Sequence, residues 1–222
     1  MKKATKQQSK KHNSRLVLQT IYQEEEMSRA DIARATKLTR PTVSSIVSEL
    51  IEDDLVVEAG VGVSAGGKPP LLLQIAYDAH QLISIDLGSY EFRGALSNLS
   101  GDITMRRTLL TNGNKAEDAL QLVFELIDDL FEQASAPILG IGLGTPGVVN
   151  QESGVIRQAI NLDWHDLPIR DVLIDRYGCP VYVANDSHMA ALAEYTFGEQ
   201  YDSRNLIVIK ASRGVGAGIV LN

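Results

Sequence analysis

Leu38-Thr39-Arg40-Pro41-Thr42-Val43-Ser44-Ser45-Ile46-Val47-Ser48-Glu49-Leu50-Ile51 decides how the first third of this 222-residue chain is read. Thr39 is placed to cap a helix. Pro41 falls in its first turn, where a missing N–H costs little. Val43, Ile46, Val47, Leu50 and Ile51 then recur at the spacing of one buried helical stripe. The outward positions are Arg40, Thr42, Ser44, Ser45 and Ser48, small or basic hydrogen-bonding side chains gathered toward the N-terminal end. A helix that presents such an end can enter a DNA major groove, and its dipole favours nearby phosphate. The same pattern also fits an ordinary three-helix bundle with a polar outer face.

Working outward, residues 13–25 carry Leu16, Val17, Thr20 and Ile21 at helical spacing. Ser28 followed by Asp31 predicts an N-cap and a second helix with Ile32, Ala33 and Ala35 inside. The connection Thr36-Lys37-Leu38 is as short as a helix-turn-helix requires. After the third helix, Asp54–Glu58 starts an alternating strand, Gly60–Pro70 is a glycine-rich loop, and Leu71–Ile75 returns as a strand. That is a hairpin in the position of a wing. Lys68, among glycines at its tip, could approach a DNA backbone or minor groove, although a plain flexible loop reads equally well.

Charge separates this segment from the rest. Residues 1–70 hold 11 basic and 9 acidic residues, a balance of +2, whereas residues 71–222 hold 10 and 19, a balance of −9. Lys2, Lys3, Lys6, Lys10, Lys11 and Arg15 precede the first acid, Glu24. A solvated tail would explain such a run by itself. Beside a helix-turn-helix it points to phosphate, because cationic segments gain by counterion release.

These phrases, in this order, resemble the DNA-binding region of the ROK family (repressors, open reading frames and sugar kinases). The matching stretches are Ser28–Ala33, Leu38–Ser44 and Gly66–Pro70. From residue 81 the pattern changes to strands at 82–87, 94–98 and 103–107, an amphipathic helix at 116–134 and a strand at 138–142. A helix near 168–177, a strand at 181–184, a helix at 187–197 and strands at 206–210 and 217–221 follow. This alternation predicts one lobe of an α/β fold. Gly140–Gly147, Asn161–Trp164 and Val183–Asp186 resemble the family's sugar-pocket loop, sugar-contacting asparagine segment and catalytic-aspartate stretch. The resemblance implies an actin-like ATPase (ribonuclease H-like) fold, with Asn161, Asn185 and Asp186 toward a sugar and Asp186 matching the catalytic base. Taken by itself, Asp186 reads as a helix N-cap. His165, His188 and Cys179 read as structural rather than as ligands.

Two departures bear on chemistry. The family's Asp-x-Gly-Gly-Thr turn is Asp86-Leu87-Gly88-Ser89-Tyr90 here, and its Gly-Thr-Gly-Ile-Gly-Ala-Gly is Ser212-Arg213-Gly214-Val215-Gly216-Ala217-Gly218. Both are phosphate-holding loops in the kinases, so Asp186 is expected to be vestigial and phosphoryl transfer lost. Glycines 214, 216 and 218 could equally make a tight strand turn. The resemblance spans about the first half of the family architecture and implies truncation after the first lobe.

The expectation is therefore an α/β (α+β overall) protein. Residues 1–76 form a winged helix-turn-helix with a basic N-terminal tail, and residues 77–222 form the first half of a sugar-kinase-like domain. Its partners would be a double-stranded operator, through Arg40, Thr42, Ser44, Ser45, Ser48 and Lys68, a sugar or sugar-phosphate effector, and a second copy as homodimer. No cofactor or metal is expected. One cysteine excludes an internal disulfide, no apolar run reaches about 18 residues, and the cytoplasm follows as location. The alternative is an ATP-dependent sugar kinase carrying a DNA-binding domain.

Overall fold

The computed structural model describes residues 5–63, 69–198, 205–211 and 214–221. The chain divides into two compact units, Met1–His80 and Gln81–Asn222.

In the first unit, α1 (Lys6–Glu24), β1 (Met27–Ser28), α2 (Arg29–Thr36), α3 (Arg40–Glu52), β2 (Val56–Val61) and β3 (Leu71–Ile75) follow in order. α1 begins well before residue 13, so the stretch expected as a basic tail is helical from Lys6 onward. A capping box starts it: Thr5 Oγ1 accepts from the Gln8 N–H, and the Gln8 side chain accepts from the Thr5 N–H. No apolar residue marks its first turns, which is why periodicity missed them. Ser28 caps α2 as expected, and Ile32 and Ala33 are buried. Ala35 is exposed instead of inside, because two residues beyond Ala33 the helix has turned it to the far side. Val17, Ile21, Ile32, Val43, Val47 and Leu73 are fully buried and hold the three helices to the hairpin. Each contributes about 1.5–3 kcal/mol by leaving water.

β2 and β3 pair antiparallel with a bulge between Glu58 and Gly60, and β1 adds a short third strand against β3. Two residues are too few to show a period, so β1 was not foreseen. The Gly62 N–H donates to the Pro70 carbonyl (2.8 Å) at the base of the wing. Lys68 lies outside the described residues. The unit runs on to His80, whose Nε2 lies 3.1 Å from the Asp53 carbonyl oxygen.

The second unit contains β4 (Gln81–Leu87), β5 (Glu91–Asn98), β6 (Ile103–Leu110), α4 (Ala116–Glu132), β7 (Ile138–Thr145), β8 (Val148–Asn150), β9 (Val155–Ala159), β10 (Trp164–Leu167), α5 (Ile169–Tyr177), β11 (Val181–Asn185), α6 (Asp186–Phe197), β12 (Asn205–Ala211) and β13 (Val215–Leu221). Five strands form a mixed sheet in the order β11-β7-β4-β5-β6; β11, β7 and β4 are parallel, and β4, β5 and β6 antiparallel. Alternation along β4 sends Ile83, Ile85 and Leu87 to the core beside Phe92 and Leu96 of β5. There they meet Val123, Leu126, Ile127 and Leu130 of α4. The three-stranded sheet β10-β9-β8 is an addition that the sequence did not announce, its strands being short.

β12 and β13 pair as an antiparallel hairpin packed on α6. Its outward face carries Ile207, Ile209, Ile219 and Leu221, all exposed. Among the described residues no helix is long and apolar enough to cross a membrane.

Candidate functional site

Two surfaces gather the residues singled out from the sequence. On α3, Thr39 Oγ1 accepts from the Thr42 N–H (3.4 Å) and lies 2.9 Å from the Thr42 hydroxyl, so Thr42 belongs partly to the cap. Arg40, Ser44, Ser45 and Ser48 are exposed, whereas Thr42 is half-buried. Arg40, Ser44 and Ser48 follow one another every fourth residue and form one row along the helix.

Thr42 and Ser45 stand on the side nearer α1. With Gln7, Lys10 and Asn13 they line an open groove of about 800 Å³. Lys10 Nζ bridges to Glu49 Oε1 at 2.9 Å across it. The α1 stripe that packs as Val17 and Ile21 continues toward the N-terminus as Asn13 and Lys10, polar where it leaves the core. Lys10 therefore belongs to the helical surface beside α3, not to a tail. Its signal was the helical spacing of Lys10, Asn13, Val17 and Ile21, hidden because only the last two are apolar.

In the second unit, β4, β7 and β11 run parallel, so their carboxyl ends deliver Gly88–Ser89, Pro146–Gly147 and Asn185–Asp186 to one side. Open α/β sheets bind ligands at this end of their strands. A pocket of about 600 Å³ lies there, with Asn161 and Lys210 also in its wall. Asn161 Nδ2 donates to Ser89 Oγ at 3.0 Å. The cap of α6 is Asn185, not Asp186: its Oδ1 accepts from the N–H groups of Ser187 (3.0 Å) and His188 (3.3 Å), while Nδ2 donates to the Gly147 carbonyl (3.0 Å). Both ends of that amide are thus engaged in building the pocket. Asp186 is the first residue of α6; Oδ1 accepts from the Ser187 N–H (2.9 Å) and Oδ2 from Lys210 Nζ (2.7 Å).

Lys210 was not foreseen. Leu206, Val208 and Lys210 share one side of β12 while Ile207 and Ile209 face outward, but an unbroken apolar run over 206–209 concealed that alternation. Lys210 Nζ also lies 3.7 Å from Asp86 Oδ1. Burial pulls the Lys210 ammonium down, yet its hydrogen bond to Asp186 and the charge of Asp86 outweigh this and hold its pKa above the ordinary lysine value.

The two segments expected to be altered phosphate loops make the following contacts. The Gly88 N–H donates to the Glu91 carbonyl (3.0 Å) inside the β4–β5 turn, and Tyr90 is exposed. A Cβ on Gly216 would stand 2.1 Å from Ser187 Oγ, and one on Gly218 would stand 2.2 Å from the Ser187 carbonyl oxygen. These glycines let the hairpin lie directly on α6. Ser212 and Arg213 lie outside the described residues. Cys179 is half-buried, and burial raises its thiol.

The sequence matches the ROK family over residues 82–222. The chain belongs to the ROK family. A winged helix-turn-helix DNA-binding family also matches, over residues 11–57. The xylose repressor of Caldicellulosiruptor bescii is 37% identical over 217 residues, covering 96% of this chain and 54% of that protein. The glucokinase of Thermotoga maritima is 33% identical over 144 residues, covering 63% of this chain and 44% of the enzyme. Among solved structures, a ROK family transcriptional regulator described as a homologue of the E. coli MLC protein superposes with a TM-score of 0.85 at 29% identity, over 96% of this chain and 55% of that one. This ROK chain spans about half the length of the curated relatives it matches, and with the regulator it shares both the winged helix and the kinase-like fold.

Proposed function

We propose that this ROK protein is a transcriptional repressor of sugar-metabolism genes that reads an operator with α3 and answers to a sugar held beside Asn161 and Asp186. The observation that carries the reading is the exposed row Arg40, Ser44 and Ser48 at the start of a capped helix, inside a winged helix-turn-helix. Ser45 and Thr42 extend it toward α1, where Lys10 adds charge for phosphate. Lys68 would do the same from the wing. Likeness to xylose repressors supports the repressor role and makes a five-carbon aldose the first effector to test. Two copies would bind, since a two-fold protein matches half-sites about one helical turn, or a multiple, apart. Asn185 shapes the pocket through its two-ended amide, and Asn161 exchanges its bond to Ser89 for one to a sugar hydroxyl. A DNA regulator of this kind works in the cytoplasm.

The decisive measurement is fluorescence anisotropy with operator and scrambled duplexes in rising salt, repeated with xylose, glucose and N-acetylglucosamine. Operator preference that persists as salt rises, and that one sugar changes, is expected; equal binding to both duplexes at every salt sinks the reading. Asp186→Ala is expected to keep operator preference and lose the response to sugar. A second reading rests on Asp86 and Asp186, which are both retained at the strand ends, and on the likeness to glucokinase: an ATP-dependent sugar kinase joined to a DNA-binding domain. Turnover of any of these sugars above background in a coupled assay would favour it. None is expected, because the Gly88 N–H is used in a turn and Gly216 and Gly218 pack on α6.

A further inference from the structure

The carboxylates that keep a kinase reading alive already share a cation of the protein's own. Lys210 Nζ stands 2.7 Å from Asp186 Oδ2 and 3.7 Å from Asp86 Oδ1, reaching them from a third element, β12. The Asp186 side chain is only 15% exposed, and its other oxygen accepts from the Ser187 N–H. Both oxygens of the would-be base are therefore engaged.

Phosphoryl transfer from a nucleoside triphosphate needs the opposite arrangement. A carboxylate must be open to the substrate hydroxyl, and a divalent cation with oxygen ligands must bridge the phosphates. An ammonium has three donors and no lone pair, so it cannot coordinate a metal. Placed between the two carboxylates, it also repels a second cation. The neighbouring backbone agrees in part, since the Gly88 N–H is spent on Glu91. These residues do not fit a metal-bound nucleotide.

We propose that Lys210 stands in the place of the divalent cation, joining β12 to β4 and α6 and closing this pocket to metal-bound nucleoside triphosphates. The inference goes beyond repression and does not depend on it, because the test contains no DNA. Lys210 is a positioning residue here: it acts by occupying Asp86 and Asp186.

The test titrates the full chain with Mn²⁺, followed by electron paramagnetic resonance, and with trinitrophenyl-ATP with and without Mg²⁺, followed by fluorescence. The native chain is expected to show no saturable Mn²⁺ binding and no Mg²⁺-dependent nucleotide binding up to millimolar concentrations. Lys210→Ser is expected to gain an Mn²⁺ site at least tenfold tighter than anything the native chain shows, and adding Asp186→Asn is expected to remove it. Lys210→Met, which keeps the stem without the charge, serves if the serine variant does not fold. Saturable Mg²⁺-dependent nucleotide binding by the native chain overturns the proposal, as does a folded, charge-free variant still blind to Mn²⁺. A chain that fails in either way yet prefers its operator loses this inference and keeps the repressor reading.

Discussion

The N-termini of α3 and α6 are built alike and used differently. Each starts on a side-chain cap, Thr39 in one and Asn185 in the other, and each follows the cap with polar residues. On α3 those residues face outward: Arg40, Ser44 and Ser48 are exposed in a row. On α6 they are turned on their own surroundings, with Asn185 holding Gly147 and Asp186 holding Lys210. One helix start leaves its polar side chains open to solvent, as the proposed DNA contact requires. The other is pre-paired, so anything small that enters must compete with bonds already made. Sequence motifs cannot separate the two cases, because cap and polar run look the same in both.

The sharpest way to break the comparison is to truncate the open end. Arg40→Ala is expected to cost about 1–3 kcal/mol of preference for operator over scrambled duplex, the worth of one good set of base contacts. The ratio of two dissociation constants at one salt concentration measures it. An unchanged ratio removes Arg40 from the reading surface and leaves α3 an ordinary polar helix.

Next in size are the caps. Asn185→Ala removes a partner from two N–H groups and from the Gly147 carbonyl, so a loss of about 2 kcal/mol is expected, the upper end for a cap. Thr39→Ala, whose hydroxyl serves one N–H at 3.4 Å, is expected to lose nearer 1 kcal/mol. Denaturant melts of both variants give the order. Equal losses would mean that the α6 junction is no more tightly paired than the start of α3.

How far each end was legible follows from the same contrast. Around α3 the cap, the buried stripe Val43, Ile46, Val47 and Leu50, and the outward row could be read directly, because one short helix carries them all. The first turns of α1 could not, since nothing apolar marks them and Thr5-x-x-Gln8 is a weak sign without an apolar run behind it. In the second unit the large strands and α4 were visible by periodicity, and Asn161 and Asp186 were brought to one pocket by the resemblance. Lys210 was invisible because Asp86, Asp186 and Lys210 lie on three elements: the parallel strands β4, β7 and β11 bring the two aspartates together, and only the packing of the β12–β13 hairpin on α6 adds the lysine. The roles of Gly216 and Gly218 were open for the same reason: their spacing fits a phosphate loop as well as it fits the packing on Ser187 that the fold displays.

A smaller effect probes the groove beside the open end. Glu49 holds Lys10 at 2.9 Å, and both side chains are well exposed, 61% for Lys10 and 41% for Glu49. Such an ion pair is worth little to stability. Glu49→Ala is expected to leave the unfolding free energy within about 0.5 kcal/mol of native. It frees Lys10 for phosphate, so binding to any duplex should tighten a few-fold and fall more steeply with salt, while operator preference stays put. A flat response in both affinity and salt slope would place Lys10 away from the DNA.

The smallest effect comes from a third helix start, α2, which sits between the two extremes because Ser28, Asp31 and Arg34 pair with one another while Arg29 reaches Glu58 of β2. Ser28 Oγ accepts from the Asp31 N–H (3.2 Å) and donates to Asp31 Oδ2 (2.5 Å), and Arg34 pairs with the same carboxylate. The Ser28 hydroxyl first, and then Arg34, outweigh a slight burial cost and hold Asp31 below the usual carboxylate range. A carboxylate depressed in the folded state adds stability that is complete above its unfolded value of about 4 and disappears as pH falls through the folded value. The native chain should therefore melt slightly above Asp31→Asn at neutral pH, with a gap that is constant down to about pH 5 and shrinks below about pH 4. Asparagine keeps an acceptor for Ser28, which confines the gap to the charge itself. A gap that stays the same at pH 3, or one that widens there, would show that the Asp31 charge contributes nothing and that the hydroxyl alone starts the helix.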